Sequence, residues 1–227
     1  MMERPLVEPL SPTCTQCSLA IFCSYNKNTG IKPKLLHLKR KEILHHANDR
    51  FTTIYAIQRG ALKTHDADSA GNELIRGLYL KNEVYGYEAI YQGHHLYSST
   101  ALTDTVLCEN PYQHFLELIR SEPDLLGRVV SLMSQQLAAG AYLKCITARQ
   151  RLSAFLLDLS TRLSSNKSPP DFLLPMSYRD IGNYLGLATE TISRILSQFK
   201  NIKIISIEKK HIYFLQPEEL KRIAIHL

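Results

Sequence analysis

The spacing of apolar residues changes character along this chain of 227 residues, and each change marks a different kind of element. Residues 1–35 show no amphipathic period and are rich in Pro, Ser, Thr, Asn and Lys, which predicts an irregular arm. From residue 39 to residue 109 the pattern favours short strands. Ile54-Tyr55-Ala56-Ile57 and Ala61-Leu62-Lys63-Thr64 flank Arg59-Gly60, a hairpin signal. Further strands are expected over residues 73–80, 83–87 and 98–106, broken by Asp68-Ser69-Ala70-Gly71, Lys81-Asn82 and Gln92-Gly93. Short strands at this spacing suggest a small antiparallel roll.

Past Pro111 the period becomes helical. A short helix over residues 112–120 precedes a longer one over 123–145. In the longer helix Leu126, Val130, Met133, Leu137, Gly140 and Lys144 alternate steps of four and three, the seam of a helix pairing with a copy of itself. Gly140 and Lys144 weaken its last two positions, and packing against the chain's own roll is the alternative. Another amphipathic helix spans 148–163, with Leu152, Phe155, Leu156, Leu159 and Leu163 on one face. Residues 164–171 form a loop.

Residues 176–199 carry the most specific pattern. Ser177 caps a helix whose third following residue is Asp180, and Ile181, Tyr184 and Leu185 turn inward. Gly186 suits a left-handed helix end. A second helix begins at Ala188 or Thr189 and buries Ile192, Ile195, Leu196 and Phe199. Glu190, Ser193 and Arg194 share its opposite face at the N-terminal end, where a helix-turn-helix reads base edges in the major groove. Arg suits guanine and Glu suits the amino group of cytosine. A two-stranded wing follows, over 204–207 and 211–215, with Lys209 and Lys210 at its turn for phosphate contact.

An apolar content of 44% supports one large domain or two small ones. No apolar run reaches the length of a membrane span, and the N-terminus lacks the core of a secretion signal. A cytoplasmic location is the expectation. The net charge is +6, and residues 148–227 hold 12 Lys/Arg against 7 Asp/Glu, a local net of +5 that suits phosphate binding. No nucleophile–base constellation, phosphate-binding loop or acid pair points to an enzyme.

Cys14, Cys17 and Cys23 read Cys-x2-Cys-x5-Cys, and Cys108 follows far downstream before Glu109-Asn110-Pro111. In a reducing compartment such spacing reads as metal ligation or redox chemistry rather than as disulfides. Four thiolates suit tetrahedral zinc and an iron–sulfur cluster equally. Cys145 has no cysteine neighbour and reads as an ordinary buried or interfacial residue. His45-His46 and His94-His95 lie in predicted turns, without a further ligand cluster to make either pair a metal site.

Together these residues resemble the Crp/Fnr family of bacterial transcription regulators, and its oxygen-sensing Fnr branch in particular. The resemblance rests on the four cysteines, Tyr55-Ala56-Ile57 with Gly60, Gly93-His94-His95, and Cys108-Glu109 before Pro111. Its most specific block is residues 180–187 followed by Glu190-Thr191-Ile192-Ser193-Arg194. The fold it implies is α+β: an N-terminal antiparallel β-roll like a cyclic-nucleotide-binding jelly roll, a long dimerisation helix and a C-terminal winged helix-turn-helix. The corresponding domains are a cysteine-rich arm (1–35), the β-roll (36–111), connecting and dimerisation helices (112–146) and the DNA-binding domain (147–227).

The resemblance implies Cys14, Cys17, Cys23 and Cys108 as ligands of an oxygen-labile 4Fe–4S cluster, and Glu190, Ser193 and Arg194 as base readers. It implies a homodimer on palindromic double-stranded DNA in the absence of oxygen, with RNA polymerase as a partner. The nucleotide-sensing branch fits less well, because residues 86–99 offer no Arg to hold a cyclic phosphate. The chain departs from the pattern at 28–33, in the shortened long helix, in the wing, where Lys203 and Lys210 stand in place of glycines, and in the loop 66–72. The competing reading is a non-sensing DNA-binding regulator with a structural four-cysteine zinc site.

Overall fold

Strand Thr105–Pro111 organises the N-terminal half, because its neighbours on both sides use its backbone. In the computed structural model, which describes residues 34–121, 124–138, 147–163 and 171–225, the first eight strands are β1 (Lys34–Leu38), β2 (Ile43–His45), β3 (Thr53–Arg59), β4 (Ala61–Ala67), β5 (Glu73–Leu80), β6 (Val84–Tyr85), β7 (Ser98–Ala101) and β8 (Thr105–Pro111). They form two four-stranded sheets, ordered β1-β8-β3-β6 and β2-β7-β4-β5. In the first sheet Cys108 faces Leu35 across one ladder and Ala56 across the other, both antiparallel. The β-roll expected from the strand spacing is therefore present, but the hairpin expected at Arg59-Gly60 is not: β3 and β4 belong to different sheets, and this turn carries the chain from one sheet to the other. Gly60 sits at φ +90°, and a Cβ there would come within 2.6 Å of the Asp104 carbonyl oxygen, so the turn tolerates only glycine.

Three further local readings change. Residues 98–106 form two strands rather than one, because the chain passes between sheets at 102–104. Asp104 accepts a hydrogen bond from the Arg40 backbone N–H at 2.9 Å there. Strand β1 begins at Lys34, inside the segment read as irregular. After β6, the expected strand end folds into a single 3₁₀ turn, Tyr87–Ala89, entered through Gly86 at φ 113°.

Helix α1 (Tyr112–Ser121) and helix α2 (Asp124–Ala138) follow the roll. They share one apolar cluster with it, in which Phe51, Ile54, Cys108, Phe115, Leu118, Leu125 and Val129 are buried. The expected continuation of α2 through 145, with Gly140, Lys144 and Cys145, lies outside the described residues.

The C-terminal region contains α3 (Ala148–Leu163), β9 (Asp171–Leu173), α4 (Tyr178–Leu185), α5 (Thr189–Asn201), β10 (Ile205–Glu208), β11 (His211–Phe214) and α6 (Pro217–Ile225). Leu152, Phe155, Leu156 and Leu159 of α3 are fully buried, as their helical spacing requires. Strand β9 adds a third member to the wing, order β10-β11-β9. Neither it nor α6 was evident in the pattern. The described residues divide into two compact units, one holding residues up to 62 together with 79–136, the other 63–78 with those from 137 onward.

Candidate functional site

Helix α4 starts as its sequence dictates. Ser177 is extended (φ −81°, ψ 162°), its hydroxyl accepts from the Asp180 N–H at 3.1 Å, and Asp180 accepts from the Ser177 N–H at 3.2 Å. Burial pushes the Asp180 carboxyl up, but the bonds from Ser177 and the Lys63 ammonium at 3.1 Å hold it below its ordinary value. The same hairpin that supplies Lys63 also grips Asn183, which accepts from the Ile75 N–H at 2.7 Å and donates to the Glu73 carbonyl. Two ends of α4 are thereby fixed, and neither contact touches α5.

Gly186 ends α4 at φ 65°, and Arg151 donates to the Leu185 carbonyl at 2.7 Å. Gly182 lets the two helices approach, since a Cβ there would lie 2.5 Å from the Leu187 carbonyl oxygen. Ile192, Ile195, Leu196 and Phe199 are buried, and Glu190, Ser193 and Arg194 are exposed. The turn therefore presents those three side chains together on the first two turns of α5. The wing turn is tight: Lys209 takes φ 57°, and Lys203 takes φ 54° just ahead of β10. Of the glycine substitutes named from sequence, Lys203 adopts the left-handed conformation, while in the wing turn it is Lys209 rather than Lys210.

Of the four cysteines, Cys14, Cys17 and Cys23 lie outside the described residues. Cys108 is only 4% exposed, in the centre of β8 and in the same apolar cluster as Leu125 and Val129 of α2. The arm enters the described structure beside it, with Lys34 opposite Glu109 and Leu35 opposite Cys108.

A second grouping was missed from sequence. The backbone of residues 48–51 pairs with residues 93–95: the Asn48 N–H donates to the His95 carbonyl at 2.8 Å and the Phe51 N–H to the Gly93 carbonyl at 3.0 Å. This brings His45 and His95, left apart by the sequence reading, to a ring separation of 3.5 Å. Tyr85 lies 2.6 Å from His45 Nε2, and Glu88 lies 3.0 Å from His95 Nδ1. Burial, then the neighbouring His95, lowers the His45 pKa to about 4, so its imidazole is neutral near pH 7.

The profile of the cyclic nucleotide-binding domain matches residues 35–122, and that of the Crp-like helix-turn-helix domain matches residues 150–223. The transcriptional activator protein Anr of Pseudomonas protegens is 34% identical over 224 residues, covering 93% of this chain and 92% of that protein. The fumarate and nitrate reduction regulatory protein of Escherichia coli is 30% identical over 226 residues, covering 94% of this chain and 90% of its own. The chain belongs to the Crp/Fnr family. It is a DNA-binding transcription regulator of the Fnr/Anr type and not an enzyme. The solved structure of FixK2 from Bradyrhizobium japonicum shares the Crp/Fnr fold, with a TM-score of 0.78 at 24% identity over 87% of this chain and 100% of that one. Among the described residues, no helix of this Crp/Fnr regulator is long and apolar enough to cross a membrane.

Proposed function

We propose that this regulator is an oxygen-responsive cytoplasmic homodimer that binds a palindromic promoter site and acts with RNA polymerase when Cys14, Cys17, Cys23 and Cys108 hold a 4Fe–4S cluster. Four thiolates are the donor set such clusters take. The burial of Cys108 fits a centre shielded from solvent. About 11 residues separate Cys23 from Lys34, so at about 3.3–3.6 Å per residue the arm has ample reach back to Cys108. A bound cluster would supply iron chemistry that is sensitive to oxygen.

The observation that carries the reading is the apolar cluster shared by Cys108 and α2. Leu125 and Val129 pack in that cluster, while their neighbours Leu126 and Val130 are 52% and 57% exposed. A strain at Cys108 thus acts on the buried face of α2 and alters the seam that Leu126 and Val130 offer a second copy. A marginal seam makes a useful switch, since about 5.5 kcal/mol moves a two-state equilibrium from 1:99 to 99:1. On DNA, Arg194 presents its fork to guanine, Glu190 accepts from cytosine, Ser193 adds a hydroxyl, and Lys209 and Lys210 meet phosphates.

The test is protein purified without oxygen, with absorption spectrum and iron, sulfide and zinc content measured before and after air. Broad visible absorption that changes on aeration, about four iron per chain and loss of DNA binding in air are expected. Colourless protein with one zinc, indifferent to air, would overturn the sensor and leave a DNA-binding regulator with a structural metal.

A further inference from the structure

We infer that His45, His95 and Glu88 form a binding site in the β-roll for a divalent transition-metal ion of the zinc class, built without any cysteine. One ligand atom from each residue lies within 4.8 Å of the other two. The three come from separate places in the chain: the end of β2, the 3₁₀ turn and the loop before β7. Backbone pairing of residues 48–51 with 93–95 fixes the two histidine segments against each other. Gly86 sets the 3₁₀ turn that carries Glu88, and a Cβ on Gly86 would lie 3.1 Å from the Thr53 carbonyl oxygen.

The chemistry favours a metal ion over an anion or a nucleotide phosphate. Two neutral imidazoles and one carboxylate are the ligand set of open three-ligand zinc sites. The two rings stack at 3.5 Å between centroids, which keeps both imidazoles beside the Glu88 carboxylate. Donors at about 2.0–2.1 Å from a tetrahedral ion lie roughly 3.3 Å apart, so a bound ion replaces the proton of the 3.0 Å hydrogen bond that His95 Nδ1 donates to Glu88 Oε1. The walls are aromatic. Tyr85 lies parallel to His45 at 5.6 Å, and the edge of Phe51 meets His95 at 5.7 Å. Such a shell holds the ligand rings and limits water. Because the rings are nearly parallel, at 17°, their lone pairs converge only after His45 tilts away from the Tyr85 hydroxyl.

The test titrates zinc into full-length protein purified without oxygen, its cysteine-bound metal first assayed. Cobalt(II) serves as a second, spectroscopic probe. One additional equivalent of zinc is expected, raising Tm, and the added cobalt lacks the near-ultraviolet absorption of thiolate ligation. Glu88→Gln, which keeps the hydrogen-bonding shape, and His95→Ala should each weaken zinc by at least about 10–100-fold, the loss that follows removal of even an outer partner of a metal ligand. Circular dichroism of the metal-free variants separates lost binding from lost folding. No additional zinc on the wild type would overturn the site, as would equal affinity in folded Glu88→Gln and wild type, or thiolate absorption from the added cobalt.

Discussion

The β-roll and the helix-turn-helix hold their chemistry in opposite ways. In the roll, Cys108, His45 and His95 are at most 9% exposed and sit among aromatic and aliphatic side chains. In the C-terminal unit, Glu190, Ser193 and Arg194 stand exposed on a helix whose other face is core. Under the proposed function, a cysteine that reports a chemical event must be packed against an element that responds, whereas residues that read bases must be offered to solvent. The structure supports each need by different means. Packing joins Cys108 to α2, and caps, a close glycine and a left-handed turn aim α5.

The largest expected effect tests the buried side. Cys108→Ala should remove the iron from protein purified without oxygen, and with it any difference in DNA binding between anaerobic and aerobic samples. Retention of about four iron per chain would exclude Cys108 as a ligand. Next comes the support beneath the exposed side. Phe199 is fully buried, under the Arg149 guanidinium at 5.2 Å, and Phe199→Ala should cost about 3–5 kcal/mol by denaturant unfolding. A cost below about 1 kcal/mol would mean that α5 does not depend on this core for its position.

Smaller effects belong to single contacts. Arg194→Ala should weaken specific DNA binding by about 1–3 kcal/mol and relax discrimination at one base pair, with folding unchanged. A loss uniform across all sequences would reassign Arg194 to a phosphate. Ser177→Ala should destabilise the C-terminal unit by about 1 kcal/mol through the lost cap. Because the Asp180 pKa is depressed on folding, its contribution is fully present above the ordinary value of 3.8 and fades as pH falls through the lower folded value. An Asp180→Asn variant should lose that acid-dependent part of the melting curve. Last, Lys209→Gly should stabilise the wing by up to about 1 kcal/mol, since Lys209 holds φ 57°, and lower the salt slope of DNA binding by about one. An unchanged slope would remove Lys209 from the phosphate contacts.

What could be read without coordinates follows from the range of the interactions involved. The helix-turn-helix was legible because its determinants are local: Ser177 and Asp180 cap three residues apart, Gly186 ends the helix, and the buried stripe of α5 repeats within one helix. Strand β5 and helix α3 were legible for the same reason, each being long and regular. The roll was legible only as a class. Strand β1, the break between β7 and β8, and strand β9 are short, and each exists because a distant strand supplies its hydrogen bonds.

The sequence by itself determined the family and the helix-turn-helix, and it carries the face proposed to read DNA and the four cysteines proposed as ligands, since motif spacing marks them all. Tertiary structure decided which residues surround Cys108, joining it to α2, and that His45 meets His95 and Glu88. Their separation along the chain hides that meeting from any local pattern. Only the closure of the roll, through backbone pairing between residues 48–51 and 93–95, brings the two buried histidines together beside the half-buried Glu88.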